Sequence, residues 1–340
     1  MSKKHIAYSI LDLAIVSKGQ SLSDTFKHSL ALAQAADKLN YKRYWLAEHH
    51  NTDAIGSSAT SILIGKLAEG TERIRVGSGG VMLPNHSPLI VAEQFGTLGI
   101  LYPNRIDLGL GRAPGTDRET AQAIRSDFYQ AAQSFPSEIE KIQGYFSDSN
   151  YTKRVRANVA EGVDVPLYIL GSSTDSAHLA ARKGLPYAFA SHFATTHLYN
   201  ALNIYRNEFQ PSEILEQPYT MAGVNIIVAD TDEEAERIST SLYRMIIGLL
   251  TGKRDYMQEP IEMTDDLREV SNHPSVQQML KYSFIGSKAT VKSKVESFLE
   301  NTGVDELIAV TNIYDGEDRI KSYRLFAEIM EELNAEVAQV

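Results

Sequence analysis

The residues best suited to chemistry lie in Tyr44–Thr52, YWLAEHHNT, where an apolar run ends in one carboxylate and two adjacent histidines. Glu48, His49 and His50 could bind a metal ion, provide a base for proton transfer or form an ordinary polar edge. Adjacent side chains on an extended segment point to opposite sides, so both histidines cannot easily face one metal ion. A single histidine facing a pocket as base or hydrogen-bond donor fits better, with Glu48 fixing its tautomer or bracing the loop.

A second group of candidates could bind an anion. The stretch GSSTDSA, Gly171–Ala177, opens a predicted helix, and the backbone N–H groups at a helix start form a ready anion site. The alternative is an ordinary serine N-cap. Arg112 lies between glycines in GLGRAPG, where its guanidinium could offer a fork to a phosphate. If the two strands before these stretches are neighbours, Arg112 and the serine loop predict a phosphate clamp.

Two further stretches follow predicted strands. The glycines of GSGG, Gly77–Gly80, either leave room for a flat ligand or form a plain strand-to-loop turn. The stretch SHF, Ser191–Phe193, places His192 and Phe193 where they could contact a substrate.

The elements that would position these residues alternate between short apolar runs and segments of helical period. Helices are predicted at Thr25–Leu39, Ser87–Leu101, Thr174–Lys183 and Asp232–Leu249. Eight alternations favour a parallel (β/α)₈ barrel in a single domain over residues 1–340, with chemistry at the carboxyl ends of the strands. An open doubly wound sheet is the alternative, although it usually has fewer strands and no G-x-G-x-x-G follows the first strand. Two excursions exceed what a barrel needs: a charged helical one at about 122–165, expected to be an extended helix plus irregular chain, and a polar one at about 251–284 that could be a lid or a mere surface insertion. The predicted strands lie at about 5–11, 42–47, 74–80, 105–110, 166–171, 187–191, 221–229 and 306–311.

Composition excludes several classes of protein. The net charge of −10 argues against nucleic acid as the main partner, because phosphate backbones require a basic face. The chain has no cysteine, which excludes disulfides, thiolate metal sites and cysteine nucleophiles. No signal peptide or membrane-spanning run is evident, so we expect a cytoplasmic protein that does not bind membranes.

Several motifs together resemble the bacterial luciferase-like flavin monooxygenases. They are LAEHH, the run from IRVGSGGVMLPNHS to GLGRAPG, the run from VPLYILGSSTDSA to SHF, and GSKATVKSKVESFLENTGVDELIAV near the C-terminus. The motifs occur in order over nearly the whole chain. The resemblance implies a barrel that binds FMN at its carboxyl-end face, usually in a homodimer.

The resemblance also assigns residues. It implies that His49 is the catalytic histidine, with Glu48 beside the cofactor, and that Ser78, Gly79 and Gly80 lie under the flavin ring with a cis Gly79–Gly80 peptide. Arg112, Leu170, Gly171, Ser172 and Ser173 would hold the FMN phosphate end, with Ser176 as a weaker candidate. Gly111 stands where light-emitting relatives carry a reactive cysteine, so light emission is not expected.

The implied activity is oxidation of a small organic substrate by reduced FMN and O₂, with a separate flavin reductase as partner. Three alternatives stay open: hydride transfer with the deazaflavin F420, flavin binding without turnover, and a metal-dependent hydrolase.

Overall fold

The fold is a closed barrel of parallel strands, described for residues 4–253 and 255–338 by a computed structural model. Eight strands close the barrel in the order β1-β2-β3-β4-β5-β6-β7-β9, with β9 pairing back to β1. Among the described residues a ninth strand, β8, pairs with the second half of β7 and with no other strand. The strands are β1 Ala7–Asp12, β2 Arg43–Leu46, β3 Arg75–Met82, β4 Ile106–Gly111, β5 Leu167–Gly171, β6 Tyr187–Phe189, β7 Thr220–Ala229, β8 Ser283–Ser287 and β9 Glu306–Val310.

Helices connect the strands, as parallel strands require. The helix after β7 starts with the cap Thr231 and three acidic residues in its first turn, a sequence suited to the positive end of a helix dipole. The helices are α1 Leu22–Lys38, α2 Thr60–Glu69, α3 Pro88–Leu101, α4 Arg118–Ile124, α5 Phe128–Gln133, α6 Phe135–Phe146, α7 Thr174–Lys183, α8 Leu198–Glu208, α9 Asp232–Leu250, α10 Asp265–Ser271, α11 Pro274–Leu280, α12 Lys288–Thr302 and α13 Gly316–Ala338.

The predicted barrel and its eight strands are confirmed, and the four predicted helices end within a few residues of the observed bounds. The prediction for 122–165 was wrong in detail. No single extended helix forms there, because the chain breaks before Phe128 and again at Ser134, and Pro136 lies in the first turn of α6. The strand β8 is absent from the prediction, because the excursion 251–284 is poor in strand signal and only its last two residues belong to β8.

A charged network fills the amino-terminal half of the barrel. Arg43 Nη1 lies 2.7 Å from Asp107 Oδ2, and its Nε lies 2.8 Å from Glu306 Oε1, with all three side chains buried. Burial would lower the pKa of Arg43, but Glu306 and Asp107 raise it well above its ordinary value. Asp107 also accepts a 3.0 Å bond from Nε1 of Trp45. This hydrogen bond therefore holds the Trp45 indole between the charged network and the carboxyl-terminal half of the barrel.

In the described parts of the chain, no helix is both long and apolar enough to cross a membrane.

Candidate active site

A cavity of about 1280 Å³ opens at the carboxyl ends of the barrel strands. Its floor includes Leu11, Trp45 and Ile308, and its walls come from the loops after the strands and from α9. Among the predicted site residues, those that line it are His49, Gly79, Arg112, Leu170, Gly171, Ser172, Ser173, Ser176, His192 and Phe193. Glu48, Ser78 and Gly80 are not among its lining residues.

His49 follows β2 and is held by both its backbone and its ring. Its backbone N–H donates to the carbonyl of Ser57 at 2.9 Å, and its Nδ1 lies 3.1 Å from the carbonyl oxygen of Gly115. A carbonyl can only accept, so Nδ1 carries the proton and the proton-accepting lone pair of the neutral ring lies on Nε2. This tautomer suits a base or acceptor that faces the cavity.

Glu48 is buried beside the cavity rather than in it. Its carboxylate accepts hydrogen bonds from His50 Nε2 at 2.8 Å, His86 Nε2 at 2.9 Å, Asn85 Nδ2 at 3.1 Å and the backbone N–H of Met82 at 3.0 Å. Burial would raise the pKa of Glu48, but the bonds from His50, His86 and Asn85 lower it to about 2. Protein donors therefore occupy the carboxylate that the resemblance places next to the cofactor. Sequence reasoning singled out neither Asn85 nor His86.

The glycines at the end of β3 are required by packing. A Cβ on Gly79 would lie 2.7 Å from Cδ1 of Leu11, and one on Gly80 would lie 2.7 Å from the carbonyl oxygen of Gly109. Both contacts are closer than real Cβ atoms make, so a larger side chain at either position would require its neighbours to shift, and Gly79 itself lines the cavity. The Gly79–Gly80 peptide is cis, as the resemblance implied.

The hydroxyl of Ser78 is bonded to the backbone of the neighbouring strand. Its hydroxyl donates to the Gly109 carbonyl at 2.9 Å and accepts from the Gly109 N–H at 3.0 Å, where the β3–β4 register shifts. This pair of bonds joins β3 to β4 below the cavity.

The start of α7 provides an open set of backbone donors. Ser173 occupies the N-cap position, yet its hydroxyl makes no capping bond to the helix. The first N–H groups of the helix therefore lack the side-chain acceptor that an ordinary serine cap supplies. Since β4 pairs with β5, Arg112 lies across from this helix start, and its Nη2 is 3.3 Å from Asp175 Oδ2. The pair can present a cation and N–H donors to one anionic group.

The hydroxyl of Ser176 already makes hydrogen bonds within the protein. The Ser176 hydroxyl donates to the Ser173 carbonyl at 2.7 Å and lies 3.0 Å from the Tyr187 hydroxyl. Ser176 therefore shapes the turn before α7 although it also lines the cavity.

His192 and Phe193 lie on the opposite side of the barrel mouth from His49. The two rings meet edge to face at 4.9 Å, and Nδ1 of His192 is buried without a hydrogen-bond partner among the described residues. Burial, and to a lesser degree His49, lower the pKa of His192 to about 4. The imidazole is therefore neutral near pH 7. Phe193 is half exposed at the cavity rim.

The upper wall of the cavity comes partly from the second excursion. Met257 N–H donates to the Val16 carbonyl at 2.9 Å, and Lys18 N–H donates to the Met257 carbonyl at the same distance. The hydroxyl of Ser241 on α9 bonds the Gln258 carbonyl at 2.7 Å. This short segment, 255–258, thus connects the loop after β1 to α9 beside the cavity. Sequence reasoning missed Met257, because nothing local to it signals a pairing with residues near the start of the chain.

Within residues 4–253 and 255–338, no group of three or more metal-binding side chains is arranged to hold an ion. Glu48 and His50 belong to the hydrogen-bonded cluster described above, whereas His49 bonds a carbonyl.

Comparisons with known proteins agree with this arrangement. The profile of the luciferase-like monooxygenases matches residues 8–306. A luciferase-like monooxygenase of Escherichia coli K12 is 46% identical over 333 residues, covering 98% of this chain and 99% of the relative. The N-acetyl-S-alkylcysteine monooxygenase of Bacillus subtilis is 30% identical over 329 residues, covering 95% of this chain and 98% of the relative.

Solved structures show the same fold. The crystal structure of apo-MsnO8 superposes with a TM-score of 0.88 at 33% identity, covering 96% of this chain and 99% of that one. Two more distant structures share the fold alone. One is the oxygenating constituent of 3,6-diketocamphane monooxygenase from Pseudomonas putida in complex with FMN, with a TM-score of 0.73 at 16% identity, covering 96% of this chain and 97% of that one. The other is an F420-dependent secondary alcohol dehydrogenase in complex with an F420–acetone adduct, with a TM-score of 0.64 at 14% identity, covering 94% of this chain and 98% of that one. From the profile match and the close relatives, the chain belongs to the luciferase-like monooxygenase family.

Proposed function

We propose that the chain is an FMN-dependent monooxygenase that uses reduced FMN and O₂ to oxidise a small organic substrate. The observation that carries the proposal is one cavity lined both by Arg112 beside the uncapped start of α7 and by His49, whose Nδ1 bonds the Gly115 carbonyl. When bound, reduced FMN supplies the electrons that activate O₂.

The chain's own residues would divide the work. Arg112 and the N–H groups at the start of α7 would bind the FMN phosphate, because a guanidinium and helix N–H groups are strong phosphate donors. Gly79 and the loop at Gly171–Ser173 would border the rest of the cofactor. His49 would accept or hold a proton at Nε2, and His192 would contact the substrate as a neutral ring.

The size of the cavity supports two ligands at once. Sites for one drug-sized ligand occupy roughly 300–1,000 Å³, and this cavity exceeds that range at about 1280 Å³. Away from Arg112 the lining includes a group of apolar side chains, and this second part would hold the organic substrate. The lining residues there are Leu13, Ile15, Ile55, Leu242, Met245 and Met257.

Oxygen incorporation is the most specific test of turnover. A separate NADH-dependent flavin reductase would keep FMN reduced while thioethers and ketones are supplied under ¹⁸O₂, and mass spectrometry would follow the products. We expect one ¹⁸O atom in the product. Reduction of a substrate by reduced F420 without ¹⁸O incorporation would instead favour hydride transfer, and flavin binding with no product would favour a binding protein.

We further propose a cytoplasmic homodimer supplied by such a reductase. Apolar side chains are exposed on the adjacent helices α2 and α3, which supports a second copy as the occupant of that surface. They are Ile62, Ile90, Ile100 and Leu101. Light scattering should give a dimer for the native chain and a monomer for Ile62→Lys with Leu101→Lys; a native monomer would contradict this.

A further inference from the structure

The carboxylate of Glu48 is a buried charge that requires compensating interactions. Its side chain is 2% exposed, and in the described parts of the chain its ion-pair partners are the imidazoles of His50 and His86 rather than a lysine or arginine. Burying an ionised carboxylate is costly unless hydrogen bonds compensate for the lost water. Because Glu48 is not among the residues that line the cavity, ligand contact is not the evident compensation.

The donors to Glu48 come from two different loops. His50 belongs to the loop after β2, whereas Met82, Asn85 and His86 belong to the end of β3 and the turn that follows. His86 Nε2 lies 2.9 Å from Oε1 and 3.0 Å from Oε2, so it bridges both oxygens. As an ionised carboxylate only accepts, the two imidazoles must both carry their proton on Nε2. Glu48 thus locks the two loops together.

A third loop is connected through Asn85. Its Nδ2 also donates to the Pro114 carbonyl at 2.9 Å, in the loop after β4. The next carbonyl, that of Gly115, accepts from the His49 ring and from the His50 backbone N–H. The Gly115 carbonyl, which fixes the tautomer of His49, therefore follows directly after Pro114, whose carbonyl accepts a hydrogen bond from Asn85.

His86 is itself fixed from outside. The carbonyl of His86 accepts a 2.7 Å bond from Nη1 of Arg125, just after α4. Arg125 also pairs with Asp127 at 2.8 Å. His86 does not line the cavity, and its ring bonds both oxygens of Glu48, so we expect its effect on the site to pass through Glu48.

From this connected set of bonds we propose that Glu48 and His86 are positioning residues, which hold His49 and the Gly115 carbonyl in register so that His49 presents Nε2 as its proton acceptor. The consequence for turnover rests on the proposed function, whereas the consequence for the His49 tautomer does not.

The test uses four variants and three readouts: the tautomer of His49, FMN affinity and turnover. The variants are Glu48→Gln, which replaces one acceptor by a donor, His86→Leu, which removes a donor, His86→Gln, whose amide N–H can replace the imidazole Nε2–H, and the control His197→Leu at an exposed histidine before α8. Imidazole ¹⁵N NMR on the flavin-free full-length protein reports which nitrogen of His49 is protonated, and loss of the signal in His49→Asn assigns it. FMN affinity is measured separately from quenching of Trp45, the single tryptophan.

We expect native protein, His86→Gln and His197→Leu to show His49 protonated on Nδ1. Glu48→Gln and His86→Leu should show a mixture of tautomers, FMN affinity within about twofold of native, and turnover lowered roughly 10- to 100-fold, the range seen when a group that orients a functional histidine is removed. Unchanged His49 signals in both variants would overturn the proposal. If native protein fails to bind FMN, the proposed function fails, and the NMR comparison still decides the positioning role.

Discussion

The Nδ1 atom of His49 lies 3.1 Å from the carbonyl oxygen of Gly115, which fixes the nitrogen that can accept a proton. The bond connects the loop after β2 to the loop after β4, and the latter loop also carries Arg112. The His49 ring and the Arg112 guanidinium, which we propose to act as proton acceptor and phosphate ligand, are thereby placed by one pair of loops.

Replacement of His49 by asparagine should separate binding from chemistry. The introduced side-chain amide can keep the bond to Gly115 because its nitrogen matches the position of Nδ1, but it lacks a counterpart of Nε2. We expect His49→Asn to bind FMN within about twofold of native, and to form ¹⁸O-labelled product roughly 10²- to 10⁴-fold more slowly, as for loss of a general base. Native rates of product formation would show that Nε2 is not needed.

Asp175 should weaken FMN binding. Its carboxylate lies 3.3 Å from Arg112 and lines the cavity at the start of α7, where a phosphate would otherwise be favoured. Asp175→Asn removes a competitor for the guanidinium and a like charge, so FMN affinity should rise by about two- to fivefold at low salt. The gain should shrink in roughly 0.5 M salt, because both groups are exposed and screened. Weaker binding by Asp175→Asn in titrations at low salt would mean that the carboxylate contacts the cofactor favourably.

His192 should make the folded state sensitive to acid. Its pKa falls from 6.5 to about 4 on folding, chiefly through burial, so the unfolded chain binds more protons between these values. Stability from the neutral ring is fully present above pH 6.5 and is lost as the pH falls towards 4. Between about pH 7 and pH 4.5, native protein should lose about 1–3 kcal/mol more free energy of unfolding than His192→Gln. Urea denaturation at both pH values measures this difference, and equal losses would contradict the assignment.

Replacing Arg43 in the charged network below the cavity should lower the free energy of unfolding. Arg43→Met removes the partner that Asp107 and Glu306 share and leaves Asp107 with Arg75 at 2.7 Å and Glu306 with Lys42 at 3.7 Å, which should cost about 3 kcal/mol of unfolding free energy. Arg268→Met is the matched control, since Arg268 pairs with Glu236 on the surface. The control should lose far less stability in the same denaturant titration. A small loss for Arg43→Met would show that water or a rearranged Lys42 compensates the carboxylates.

The strands of the barrel were predictable from sequence because each is a short apolar run between segments of helical period. β8 was not, since its buried positions are only Phe284 and Gly286 and it pairs with a part of β7 beyond the barrel. The breaks between α4, α5 and α6 depend on local capping within a continuous helical pattern, which periodicity alone does not resolve.

Residues of the candidate site were predictable from sequence where they lie in one short stretch directly after a strand. Arg112, Gly171–Ser173 and His49 each lie in a recognisable stretch, and the barrel brings these stretches to one cavity. The partners of Glu48 could not be inferred, because Asn85 and His86 follow another strand, 37 and 38 residues later. The need for a glycine at position 79 could not be inferred either, because it depends on the Leu11 side chain in β1.

Titration of FMN against the fluorescence of Trp45 determines whether the cavity binds FMN through its phosphate. Trp45 lies at the cavity floor and is the single tryptophan, so saturable quenching reports occupancy of this site. We predict one FMN per chain, weak binding of riboflavin, and a roughly 10- to 100-fold loss of FMN affinity in Arg112→Ala, the cost of losing charge-assisted bonds to phosphate. Arg118→Ala, which changes an arginine outside the cavity lining, should bind as native protein does. Equal affinity of native protein and Arg112→Ala for FMN, or equal binding of riboflavin and FMN, would contradict this prediction.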